Sequence, residues 1–180
     1  YGRSLAFHST HHVFIIFQQS FQQPFGPFFV MVHNSNVDPI FTLGEAPSAP
    51  LARLAEDGNP LFLVEDYMDD PNVRSVTAFT QGAPFSLGDS IEIAVTVTAG
   101  YKYVTIASMA INTNDCFVAA SGKFKPSMVI NAPGYDAGSD ENNELCDSMQ
   151  GPACPADSGN QADGKGEGRV HLHRRSQRIR

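Results

Sequence analysis

Apolar residues in this chain gather into short runs separated by polar turns that carry Gly and Pro, a pattern of strands rather than of long helices. The first run, His12-Val13-Phe14-Ile15-Ile16-Phe17-Gln18, is β-branched and aromatic and predicts a buried strand. A second, Phe28-Phe29-Val30-Met31-Val32-His33, follows a short connection containing Pro24-Phe25-Gly26-Pro27. So short a link suggests an antiparallel pair, because a parallel crossover needs many more residues. The clearest alternation runs from Ser90 to Thr98. Ile91, Ile93, Val95 and Val97 fall on one side, with Glu92, Thr96 and Thr98 on the other, as in a half-buried antiparallel strand. Gly100 turns this segment into a further run, Tyr101 to Ile111, so 90–111 reads as a hairpin. Shorter candidates are Val73 to Thr80, Phe117 to Ala120, Met128 to Ile130 and a last strand within Gly168 to His173.

Helical spacing occurs in one region only. Ser48 is a suitable N-cap, Leu51, Leu54 and Ala55 mark one face, and Gly58 closes the turn. Asn59-Pro60 then opens a second short helix, 61–68, ended by Asp69-Asp70-Pro71. Both are too short to build a core unaided and read as a connection. The expected fold is therefore all-β: an antiparallel β-sandwich with one or two short helices in a connection. One domain spans 8–173, with 155–168 a long flexible loop and 174–180 a flexible basic tail.

Composition refines this picture. The 180 residues suffice for one domain with a proper core. Thirteen Phe and no Trp make medium-sized aromatics the main core fillers. The formal net charge is −7, yet Arg169, Arg174, Arg175, Arg178 and Arg180 all lie in the last twelve positions, so the body is more acidic than the total suggests. An acidic body argues against nucleic-acid binding by the domain. No apolar run reaches membrane-spanning length. Tyr1 begins the chain without Met or a recognisable leader, which suggests a processed or excerpted chain.

Three cysteines are an odd count. Cys146 and Cys154 bracket a polar loop with a Gly-Pro turn, where a small disulfide ring closes easily; that bond implies an extracellular or otherwise oxidising compartment. Cys116 precedes apolar Phe117-Val118 and reads as a buried free thiol.

The stretch Tyr135-Asp136-Ala137-Gly138-Ser139-Asp140-Glu141-Asn142-Asn143-Glu144 packs carboxylates and carboxamides into a loop without apolar period. Asp136 and Asp140 flank a glycine that lets the backbone fold so that both side chains converge. Converging hard oxygens are what calcium requires, roughly six to eight of them. A solvated acidic turn is the alternative.

Several segments together resemble, in order, the spondin N-terminal domain family, and more closely its microbial branch than its animal matrix members. They are Leu54-Ala55-Glu56-Asp57-Gly58-Asn59-Pro60, then Ala107-Ser108-Met109 with Thr113-Asn114-Asp115 and Phe117-Val118, then Tyr135 to Asn142. The resemblance covers about 8–173. It implies a secreted β-sandwich with a calcium ion at one end, held by Asp115, Asp136 and Asp140. Ser139 stands where the family pattern has Thr, keeping the hydroxyl. Where the family places a further apolar strand after the His-x-His segment, this chain runs into Arg174 to Arg180, so either that strand is replaced or the sandwich has an open edge that a partner could cover.

Three functions are open at this point. The first is a non-enzymatic calcium-binding module for adhesion or for binding a protein or surface. The second is a structural subunit of a larger extracellular or luminal assembly. The third is a metal-dependent hydrolase, for which paired carboxylates could serve as acid and base, or His171 and His173 could share a zinc ion. A third zinc ligand is not identifiable, the Asp pair lacks an apolar wall, and His8, His11 and His12 read as an exposed cluster, so an enzyme is not expected.

Overall fold

The computed structural model describes residues 11–18, 23–80, 84, 90–125, 132–143, 145–146, 149, 154–155 and 165–173. Among these described residues, eight strands and two helices follow one another as β1 (His11–Gln18), β2 (Phe25–His33), α1 (Ala49–Asp57), α2 (Leu61–Tyr67), β3 (Val73–Phe79), β4 (Ser90–Val97), β5 (Tyr103–Ala110), β6 (Cys116–Lys123), β7 (Gly134–Asp136) and β8 (His171–Leu172). The structure is mostly antiparallel sheet with two short helices, the all-β class that the apolar pattern predicts. Six strands form one sheet in the order β3-β2-β5-β6-β7-β8, and β1 and β4 form a second.

Strand β2 lies inside the large sheet and is buried on both faces, which explains its unbroken apolar run. Phe28, Val30 and Val32 point to one side, where they meet Ile93, Val95 and Val97 of β4 together with Val104 and Val118. This is the core between the two sheets. Phe29 and Met31 point to the other side and pack with Leu51, Leu54, Ala55, Leu63 and Tyr67 of the helices. The helices do connect β2 to β3, as expected. They also close a second core on the outer face of the large sheet. Length limits an isolated helix, whereas here an apolar face docks on a sheet that is already apolar on that side.

The caps fall where the sequence puts them. Ser48 Oγ accepts from Leu51 N–H at 3.3 Å, and Gly58 ends α1 in the left-handed region at φ 64°. Asn59 Oδ1 accepts from Leu61 N–H at 3.0 Å.

Two pairings differ from expectation. β1 and β2 are not partners: β1 pairs with β4, and β2 with β3 and β5. Nor is 90–111 a hairpin. Thr98 and Tyr101 exchange backbone hydrogen bonds at 3.1 Å across a tight turn, but the chain changes sheets there. β4 stays with β1 while β5 enters the large sheet. β4 and β5 both contribute to the inter-sheet core, from opposite layers. A short link permits that as readily as it permits pairing. Strand β6 extends past the predicted Ala120 to Lys123, and the last strand shrinks to His171–Leu172. Met128 to Ile130, most of 155–168 and the tail 174–180 lie outside the described residues.

The third layer yields a direct test. Leu54 is fully buried, so Leu54→Ala should cost about 2–5 kcal/mol in denaturant unfolding. A loss well under 1 kcal/mol would mean that the helices rest on the sheet without sharing its core.

Candidate metal centre

The site forms at one end of the large sheet, where the β5–β6 turn meets the loop after β7. Asn112 adopts φ 64°, a left-handed conformation that Asn tolerates. Thr113 Oγ1 donates to Ala110 O at 2.6 Å and accepts from Cys116 N–H at 3.1 Å. These bonds fix Asp115 at the start of β6. Asp136 ends β7 directly opposite Cys116, and Ala137 N–H donates to Asp115 O at 3.1 Å. The register of two short strands thus delivers both aspartates to one place.

The acidic loop then folds around Asp115. Its Oδ2 accepts from Ser139 N–H at 2.7 Å, Ser139 Oγ at 3.2 Å and Asp140 N–H at 3.1 Å. Asp136 Oδ1 accepts from Gly138 N–H at 2.9 Å. Asn114 Nδ2 donates to Glu141 O at 2.6 Å, a second tie between the loops. Asp115, Asp136 and Asp140 are each no more than 3% exposed. The three aspartates singled out in the sequence are therefore buried neighbours on two linked loops, and not residues of a wet turn.

The closing segment 166–173 lies across this loop. Gly138 takes φ 69°, and a Cβ on it would collide with the backbone of Arg169. A Cβ on Gly166 would collide with the Gly138 carbonyl. Gly168 N–H donates to Gly138 O at 2.8 Å. Val170, fully buried, is gripped from the other side by Gly44 N–H and Glu45 O, each at 2.8 Å. This path sets His171 opposite Asp136 on the neighbouring strand, with Nδ1 3.6 Å from Asp136 Oδ1.

Among the described residues, Asp136, Glu167 and His171 form a group that could hold a metal ion, with ligand atoms all within 4.8 Å of one another. Asn142 Nδ2 bridges its two carboxylates, 2.8 Å from Asp136 Oδ2 and 3.2 Å from Glu167 Oε1. Asp115 and Asp140 adjoin this group without belonging to it. Glu167 and His171 were not anticipated as partners of Asp136. Glu167 sits in a Gly-rich stretch with no pattern. His171 had been considered with His173, on the rule that i and i+2 share a strand face. The pairing of β8 with β7, which no local signal encodes, gives it Asp136 instead.

Electrostatics bear on what the site can hold. Burial, then the charge of Asp136, raises the Asp115 carboxyl to about 7, against the hydrogen bonds from Asp140 and Ser139. Burial and the same two aspartates push the Cys116 thiol up to about 12, so this free, buried cysteine is no nucleophile. Glu56 of α1 is also buried and raised, chiefly by desolvation, with neighbouring Ser139 opposing the shift. Asp115 Oδ1 and His171 Nδ1 are shielded from solvent with no hydrogen-bond partner. A buried carboxylate oxygen without a partner is costly, and a cation removes that cost. The residues present thus fit a bound divalent ion.

The expected disulfide is formed: Cys146 and Cys154 are joined, with Cα atoms 5.4 Å apart. No helix among the described residues is long and apolar enough to cross a membrane. A separate concavity of about 410 Å³ lies between the 37–41 segment and the outer sheet face. Its polar floor is satisfied internally, with His33 Nε2 2.8 Å from Thr105 Oγ1 and Thr105 Oγ1 2.8 Å from Ser121 Oγ. No model of a known protein family matches the chain, and no curated protein matches it.

The raised Asp115 carboxyl gives a signed pH effect. A group whose pKa rises on folding favours the folded state when protonated; here that contribution is full below about pH 3.8 and is lost as pH rises through about 7. In chelator, the melting temperature should therefore fall more steeply across this range for the wild type than for Asp115→Asn. Equal slopes would show that Asp115 ionises as freely in the folded protein as in the unfolded chain.

Proposed function

We propose that this chain is a secreted, non-enzymatic calcium-binding β-sandwich module that binds a protein or surface partner, similar to the spondin N-terminal domains. The observation that carries the reading is Asp115: a carboxylate 1% exposed, with one oxygen unpartnered, beside the buried Asp136 and Asp140. Such a cluster of oxygens suits a hard cation, and calcium accepts the irregular geometry that loops provide. Asp115, Asp136 and Asp140 would hold it, and the ion would supply the positive charge that three buried carboxylates call for. The chain's own part is to arrange them: the Ser139 and Asp140 amides fix one Asp115 oxygen and leave the other available.

A binding role fits the site better than catalysis. A carboxyl raised toward neutrality would suit a general acid. Asp115, however, is buried, and three donors hold its Oδ2, an arrangement that suits a fixed ligand better than a proton-transferring acid. The Cys146–Cys154 bond supports an oxidising location. The resemblance to spondin domains rests on the spaced motifs alone.

One observation favours the second reading, a subunit of a larger assembly. Strand β8 is the last in the sheet order, only two residues long, with Leu172 exposed. Strand addition at a sheet edge is one way a partner could complete it.

Calcium binding is tested by a thermal melt. Calcium added to chelator-stripped protein should raise the melting temperature in a concentration-dependent way, since an ion that binds only the folded state stabilises it by mass action. Asp136→Ala should abolish the rise. An unchanged melting temperature at millimolar calcium would defeat the reading.

A further inference from the structure

We infer that Asp136, Glu167 and His171 form a site for a borderline transition-metal ion of the zinc class, adjoining the pocket of Asp115 and Asp140 and sharing Asp136 with it. The inference rests on the reading of this end of the sandwich as a cation site, and it assigns a second kind of ion to it.

The first argument is the donor set. Calcium and magnesium take oxygen ligands, and an imidazole nitrogen marks a zinc-type preference. Here one nitrogen and two carboxylates converge from three separate backbone positions, the ends of β7 and β8 and the 165–168 segment, with all three ligand atoms within 4.8 Å. The second is the state of the nitrogen. His171 Nδ1 is closed to solvent and bonded to nothing, although the ring itself is one-third exposed. It faces Asp136 Oδ1 at 3.6 Å, too far for a hydrogen bond. That separation is close to the edge of a tetrahedron with bonds of about 2.1 Å, roughly 3.4 Å.

The third argument is the backbone that holds the ligands. His171 is paired opposite Asp136 in the β7–β8 ladder, so two ligands are set by strand register. Gly166 and Gly138 approach closely enough to exclude side chains, which brings Glu167 over the loop. Asn142 supplies a fourth position. Its amide now donates to both Asp136 and Glu167, holding together the two carboxylates that a cation would otherwise bridge. Half a turn of the amide presents Oδ1, a neutral oxygen donor. Three protein ligands plus an adaptable fourth make a complete tetrahedral set, without any demand on Asp115 or Asp140.

The test uses the full chain, stripped with chelator and titrated with zinc ions alone by calorimetry, with cobalt(II) as an optical probe of tetrahedral coordination. Wild type should bind one zinc at this site and give intense visible bands with cobalt. His171→Ala and Glu167→Gln should each weaken zinc by at least about tenfold, the loss that even indirect support of a metal ligand causes. His173→Ala, two residues along, should not. Circular dichroism checks that each variant is folded; Glu167 is exposed, so its variant keeps the test valid if His171→Ala does not fold. Zinc affinity unchanged in both variants, or no zinc binding by wild type, would overturn the inference. The calcium melt separates the two claims. A zinc site lost in His171→Ala with no calcium response in wild type leaves this inference standing and removes the calcium reading. A calcium response without zinc binding does the reverse.

Discussion

Three carboxylates buried side by side at one end of a sheet set the terms for the rest of this structure. Charge that leaves water must be neutralised or paired, or the fold that buries it is penalised. Asp115, Asp136 and Asp140 are all buried, and their surroundings answer that demand only in part. Backbone amides of the loop satisfy one Asp115 oxygen and one Asp136 oxygen, while the second Asp115 oxygen has no partner. A proton relieves the strain at low pH, as the raised Asp115 carboxyl indicates, and a divalent ion would relieve it at neutral pH.

The same place is where distant parts of the chain are joined. Gly44 and Glu45 grip Val170, the 166–168 segment lies on Gly138, and Asn114 holds Glu141. Each joint is a few hydrogen bonds with little apolar burial, apart from Val170. Regions of that kind open locally at low free-energy cost, whereas the two cores on either side of β2 open only with the whole fold. A cation at this junction would act on several loops at once.

Much of the architecture was legible because it is local. The alternation of β4, the double-sided apolar run of β2, the Ser48 cap and the Gly58 stop each follow from residues within a few positions of one another. Strand partnership was not legible. The links after β1 and after β4 are short enough for hairpins, and each instead crosses between layers, a choice that no local pattern specifies. The site divides along the same line. Asp115, Asp136 and Asp140 stand out by composition and spacing. Glu167 and His171 reach Asp136 only through the β7–β8 register and the close approach of two glycines, neither of which leaves a periodic trace.

Calcium held by Asp115, Asp136 and Asp140 would fasten the acidic loop to the β5–β6 turn. Hydrogen exchange followed residue by residue, with and without calcium, addresses it most directly. Fastening requires the amides of Cys116, Ala137, Ser139 and Asp140 to gain protection together on calcium addition, while those of β2 and β5 hardly change. Equal exchange of these four amides in both conditions would contradict it.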